Sequence, residues 1–122
     1  MSTTTQSTVE ARVQDLHDHI AQGKVLEAFN EFYAPDVVMQ ENSDEPTNGF
    51  EANLAREKEF LGAVKEWLGF EVNSMAVQGD TAFVETTSDY VLQDGTKVHT
   101  EQIAKQVWKD GKIVSERFFY NA

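Results

Sequence analysis

Several carboxylates in this chain fall where a folded domain would hold them near apolar residues, and a partly desolvated carboxylate is a proton carrier. Asn53, Glu57, Phe60, Val64 and Trp67 share one face of an expected helix near Leu54 and Leu61, with Arg56 at its margin. Either Asn53 and Glu57 line a pocket, or the apolar stripe is narrow and they reach solvent. A second group lies on the expected strands. If Asp94-Gly95 is a two-residue hairpin turn, one sheet face carries Asp89 opposite Thr100, Thr87 opposite Gln102, Glu85 opposite Ala104 and Phe83 opposite Gln106. A one-residue change in that turn reverses the assignment. On the last strand Glu116, Phe118 and Tyr120 alternate with Arg117 and Phe119, so each face has an aromatic and a charge.

Other chemistries find little footing. His17 and His19 are two apart on a helix, point away from each other and are expected in solvent. His99 and Glu101 share a strand face but lack a third ligand at a recognised spacing, so no metal site is expected. No GxSxG, GxGxxG or GxxxxGK[ST] pattern occurs, which leaves serine-hydrolase, dinucleotide and P-loop functions without a motif.

The elements that must position these groups follow from periodicity. Val9, Val13, Leu16 and Ile20 mark helix one, closed by Gly23, and Val25, Ala28, Phe29, Phe32 and Tyr33 mark helix two, stopped by Pro35. Val37-Val38-Met39 reads as a short first strand. Asn48 and Glu51 form an expected capping box for helix three, the longest, whose stripe runs from Leu54 through Trp67 and Leu68. Turn signals at Gly79-Asp80, Asp94-Gly95 and Asp110-Gly111 then predict four antiparallel strands over 70–78, 81–93, 96–108 and 112–120. Residues 1–7 are expected as a flexible leader and 8–122 as a single α+β domain, its helices against one concave sheet face.

With 122 residues the chain has room for one core. Its 21 acidic and 10 basic side chains give a formal charge of -11, which would repel nucleic acid and anionic membranes. No apolar run approaches the roughly 18 residues of a membrane span. The absence of cysteine removes any disulfide framework, and a cytoplasmic location is the expectation.

The order helix, helix, short strand, long helix and four strands resembles the cone-shaped, cystatin-like fold of the nuclear transport factor 2-like superfamily. Phe32-Tyr33-Ala34-Pro35-Asp36-Val37-Val38-Met39-Gln40-Glu41, Glu45-Pro46-Thr47-Asn48-Gly49 and the ending Trp108-Lys109-Asp110-Gly111-Lys112-Ile113-Val114 resemble its steroid delta-isomerase and SnoaL-like branch. The resemblance covers residues 9–121 and implies three N-terminal helices packed on a curved antiparallel sheet. It also implies a catalytic role for Glu41, which matches the isomerases' proton-abstracting aspartate at the end of the first strand. The isomerases' oxyanion donors do not carry over, because Leu16 and Ala104 stand at the matching positions.

The SnoaL-type cyclases imply an acid-base carboxylate with no cofactor, which Glu41, Glu85, Asp89 or Glu116 could supply. The expected pocket residues are Asn53, Arg56, Glu57, Phe60, Glu85, Gln102, Gln106, Trp108, Glu116, Phe118 and Tyr120, with no metal and no cofactor. Two functions stay open: a cofactor-free isomerase or cyclase acting on a small carbonyl-containing compound, or a non-catalytic module of the same fold that binds a small apolar ligand or serves dimerisation. A homodimer through the sheet face is the expected assembly.

Overall fold

A computed structural model describes the backbone of residues 3–121 and the side chains of residues 8–121. Helix α1, Thr3–Ala21, buries Val9, Val13 and Leu16. It starts five residues before the expected Thr8, because a packed helix propagates backwards at little cost. Of the expected leader, residues 1 and 2 lie outside the described residues. The helix closes with Gly23 at φ 80°, whose N–H donates to the Ile20 carbonyl at 3.0 Å while the Lys24 N–H reaches the His19 carbonyl at 2.8 Å. That double closure satisfies the last-turn carbonyls and turns the chain into α2, Val25–Phe32, whose Ala28, Phe29 and Phe32 are buried.

The first strand is longer than expected: β1 spans Tyr33–Glu41 and is followed by a two-residue strand β2, Thr47–Asn48. Asn48 is consequently a ladder partner of Val38, and Gly49 takes the N-cap position of α3, Phe50–Ala63, without a side-chain cap. The expected Asn48–Glu51 capping box does not form, because Asn48 is held in the sheet. Helix α3 also ends earlier than its stripe suggested, and α1 is the longest helix. From Val64 the chain is already strand β3, Val64–Gln78, with Trp67 opposite Tyr90 on β4, Thr81–Leu92. Pairing with β4, which runs from Val64 to Gln78 with register shifts on either side of Trp67, outweighs the helical spacing of Trp67 and Leu68.

Strands β5, Lys97–Lys109, and β6, Lys112–Tyr120, complete a six-stranded sheet of order β2-β1-β6-β5-β4-β3. The sheet is mixed rather than wholly antiparallel, because β1 runs parallel to β6, with Met39 opposite Glu116 and Glu41 opposite Phe118. The helices cover one face of this curved sheet. Packed between them are Val13, Leu16, Phe29, Phe32, Val37, Val84, Trp108 and Ile113. Among the described residues no helix is long and apolar enough to cross a membrane.

The β4–β5 hairpin departs from the expected two-residue turn. Leu92 pairs with Thr96 around a three-residue loop, Gln93-Asp94-Gly95, in which Gly95 has φ 88° and Asp94 Oδ1 accepts the Thr96 N–H at 2.9 Å. The extra loop residue shifts the pairing by one, to Thr86 opposite Gln102 and Ser88 opposite Thr100. On β4, the even-numbered residues therefore face the helices, and Glu85 and Asp89 turn to the outer face.

Candidate functional site

Between the helices and the concave sheet face lies a cavity of about 960 Å³. Its wall includes Glu41 and Met39 from β1, Asn53, Arg56, Glu57 and Phe60 from α3, and Thr86, Ser88 and Tyr90 from β4. From β5 come Thr100, Gln102, Ala104 and Gln106, and from β6 Glu116, Phe118 and Tyr120. Helix α1 adds Leu16 and His17. Two pocket residues expected from sequence lie elsewhere. Glu85 is exposed on the outer face, where the Ser74 hydroxyl donates to it at 3.0 Å, a direct result of the shifted hairpin register. Trp108 is buried in the core beside Phe32, away from the cavity wall.

Three polar groups converge at the end of β1. Glu41 Oε2 accepts from Arg56 Nη2 at 2.7 Å, and Glu41 Oε1 accepts the Tyr120 hydroxyl at 2.9 Å. The same guanidinium donates to Thr47 Oγ1 at 2.7 Å, so Arg56 is fixed at both of its arms. The Glu41 side chain remains 39% exposed, open to an incoming molecule. Burial and the neighbouring Glu41 carboxylate push the Tyr120 phenol up to about 12, so it stays a neutral donor.

The position of Glu41 relative to β6 is set by Asn42. This residue has φ 49°, a left-handed turn that asparagine tolerates, and it makes three bonds to the last strand. Its N–H donates to the Phe118 carbonyl at 2.7 Å, its carbonyl accepts Arg117 Nε at 2.8 Å, and its side-chain oxygen accepts the Tyr120 N–H at 3.0 Å.

A second carboxyl lies on the inner wall of the cavity. Glu116 is 3% exposed, accepting the Tyr33 hydroxyl on Oε1 and the Gln106 amide on Oε2 at 2.8 Å. Trp108 orients that amide. Its indole N–H, which can only donate, reaches Gln106 Oε1 at 3.2 Å and so turns the Gln106 NH₂ toward Glu116. Burial raises the Glu116 carboxyl to about 7, against the opposing pull of its two hydrogen bonds. Tyr33 is raised well above its ordinary value, first by burial and then by the charge of Glu116. Tyr33 escaped the sequence reading because it continues the apolar spacing of α2, and its partner is 83 residues away.

Glu57, half-buried on α3, is also raised, first by burial and then by the charge of Glu41, with Arg56 pulling the other way. Asn53 is buried and donates through its side-chain amide to the carbonyls of Gly49 at 2.8 Å and Thr47 at 3.0 Å, pinning the start of α3 to β2. His17 is buried rather than solvated. Its Nδ1 meets the Val13 carbonyl at 2.8 Å, its ring stacks on Phe70, and desolvation lowers its pKa, which favours the neutral imidazole. Its signal in sequence was its place on α1 next to Leu16, among the buried positions. His99, on the outer face, lies 2.6 Å from Asp89 through Nδ1. No group of three or more His, Cys, Asp and Glu side chains suited to a metal ion occurs among the described residues.

Residues 13–116 match the family model of the SnoaL-like domain. No curated protein matches the chain in sequence. Among solved structures, a proposed SnoaL-like polyketide cyclase from Mesorhizobium loti is similar at 24% identity and TM-score 0.78, over 92% of this chain and 98% of that one. A proposed isomerase from Bacillus subtilis is similar at 15% identity and TM-score 0.78, over 94% and 87%. An LEH-like epoxide hydrolase of M. tuberculosis is similar at 13% identity and TM-score 0.78, over 95% and 84%. Three chemistries named on one fold leave the function to the site.

Proposed function

This chain belongs to the SnoaL-like domain family, and from that premise we propose that its cavity binds a small carbonyl-containing compound and moves a proton on it, with Glu41 as base and Glu116 as acid. The observation that carries this reading is the contrast between two carboxyls of one cavity. Glu41 is ion-paired with Arg56 at its open rim, whereas Glu116 is buried and titrates near 7. Environments that separate two carboxyls in this way assign one to take a proton and the other to give it.

The step is a proton relay. The Glu41 carboxylate takes the proton from the carbon beside the carbonyl, that C–H bond breaks, and its electron pair forms the enol double bond. The carbonyl oxygen receives the Glu116 proton. Glu41 ends as the acid and Glu116 as the carboxylate, whose new charge is stabilised by the Tyr33 hydroxyl and the Gln106 amide, both already placed to donate to it. Return of the proton to another carbon is an isomerisation, and attack of the enol on a second carbonyl is a ring closure. Leu16 and Ala104 offer no polar donor, so Glu116 takes over that duty from the neighbouring strand.

The test is solvent deuterium uptake at the carbon beside the carbonyl of 2-tetralone, followed by NMR. The expected result is protein-catalysed uptake that falls at least about a hundredfold in Glu41→Gln. Equal rates in the two proteins would remove Glu41 as the base, and a wild-type rate no faster than the protein-free solution would leave the cavity a binding site without catalysis.

We also propose that two copies pack through the outer sheet face. Ile103, 44% exposed, lies opposite Phe119 across β5 and β6, and Phe83 adds a third exposed apolar side chain to the same face.

A further inference from the structure

We propose that the ligand of this cavity is a cation: an amine whose ammonium group seats at Glu57 and whose apolar part lies on the Phe60, Trp67 and Tyr90 cluster. The inference rests on the reading of the cavity as a binding site for a small carbonyl-containing molecule and narrows that molecule to amine-bearing ones.

Charge is the first reason. Among the described residues the cavity wall includes five glutamates and one arginine, and that arginine is committed to Glu41 and Thr47. Glu41, Glu57 and Glu116 act on one another through space, since Glu41 opposes ionisation of Glu57, and Glu57 opposes that of Glu116. Such a wall rejects a carboxylate or phosphate and draws a cation. Glu57 is the member of the three left available. It is half-buried at the cavity wall, with the Glu41 and Arg56 charges beside it.

Geometry is the second reason. Phe60 follows Glu57 by one turn of α3, so both project on the same side of the helix. Phe60, Trp67 and Tyr90 stand with ring centroids 5.1 to 6.0 Å apart at the cavity wall, and Phe60 and Trp67 are exposed there. An aromatic cluster whose Phe60 lies one helical turn from a carboxylate suits an ammonium-bearing molecule.

A third observation points to a ligand independently of charge. Thr86 is 4% exposed and lines the same cavity, yet its hydroxyl oxygen has no hydrogen-bond partner. It lies two positions along β4 from Ser88 and four from Tyr90, so about 13 Å of wall runs from the aromatic cluster to this uncommitted hydroxyl. A ligand extending inward along β4 from the cluster would reach Thr86, whose oxygen is closed to solvent and would take the ligand's polar group on a rotation of its side chain.

The experiment titrates three naphthalene probes of matched size into the full chain by calorimetry at pH 7.5 and fixed ionic strength: 2-(1-naphthyl)ethylamine, 2-(1-naphthyl)ethanol and 1-naphthylacetate. The amine is expected to bind at least tenfold more tightly than the alcohol, and the acetate more weakly than either. Glu57→Gln should erase the amine's advantage over the alcohol, and a urea transition as cooperative as that of the wild type reports that the variant is folded. Alcohol binding with no preference for the amine, or an amine preference that survives Glu57→Gln, overturns the charge assignment alone. Failure of all three probes overturns both it and the binding role of the cavity.

Discussion

The Tyr120 hydroxyl donates to Glu41 Oε1 at 2.9 Å from the neighbouring parallel strand, close to the point where Asn42 ties the two strands together. The phenol thus reaches the carboxylate by the same register that joins the backbones, and Arg56 approaches the other carboxylate oxygen from α3. Both oxygens are held while the side chain stays accessible. The arrangement makes Glu41 a positioned carboxylate, and its positioning can be tested apart from its chemistry.

Asn42→Gly isolates that positioning. Glycine adopts the same left-handed φ without strain and keeps both backbone bonds to β6, so only the side-chain bond to the Tyr120 N–H is lost. Chemical denaturation should show a loss of about 1–2 kcal/mol. The 2-tetralone exchange rate should fall about tenfold or more, because small misplacements of a reacting group are costly. An unchanged rate would mean that Glu41 needs no help from Asn42.

Glu116 links stability to pH. Its carboxyl is raised from 4.5 to about 7 on folding, so between these values the folded chain binds more protons than the unfolded one. Stability from this group is therefore full below about pH 4.5 and declines as pH rises to about 7, by on the order of 3 kcal/mol in total. His17 works in the opposite direction, since its lowered pKa favours folding as pH rises. The measurement is the difference between wild type and Glu116→Gln in urea midpoints from pH 4 to 8. That difference should shift steadily in favour of the variant through this window, and a flat difference contradicts the assignment.

Trp108→Phe removes the indole N–H while leaving a ring against Phe32. The Gln106 amide loses its orienting donor, and with it Glu116 loses a bond that favours its charged form. The Glu116 carboxyl should titrate higher than in wild type when followed by carbon-13 NMR, with a stability loss of about 1–3 kcal/mol. A midpoint that stays or falls excludes Trp108 as a positioning residue.

Ile103→Glu tests the outer face. Sedimentation should give a dimer for the wild type and a monomer for the variant, with cavity binding of 2-(1-naphthyl)ethanol retained. A wild-type monomer at micromolar concentration would remove the dimer proposal.

Periodicity exposed α1 and α2 through Val13, Leu16, Phe29 and Phe32, because residues that share a buried face must recur at helical spacing. It placed Glu57 and Phe60 on one face of α3 for the same reason. What it could not resolve was decided by partners distant in the chain. Trp67 reads as helical until Tyr90 pairs with it, and the wall facing the helices carries Thr86 instead of Glu85 because the hairpin loop holds three residues rather than two. Glu41 entered through resemblance to a family position, whereas Tyr33 had no local signal for its contact with Glu116.

The parallel pairing of β1 with β6 also governs when the cavity can exist. Glu41 and Tyr120 are 79 residues apart, and Tyr33 and Glu116 are 83 apart. At about 5–20 residues per second of synthesis, β1 waits on the order of 4–16 s for the strand that will neighbour it. Until then its apolar residues Val37 and Val38 and its open edge have only β2 and the helices for company. Contacts of such separation are closed late and slowly. A nascent chain of this design is most exposed to wrong pairing just before its final strand arrives, and the bonds of Tyr120 to Glu41 and of Tyr33 to Glu116 form together in that last step.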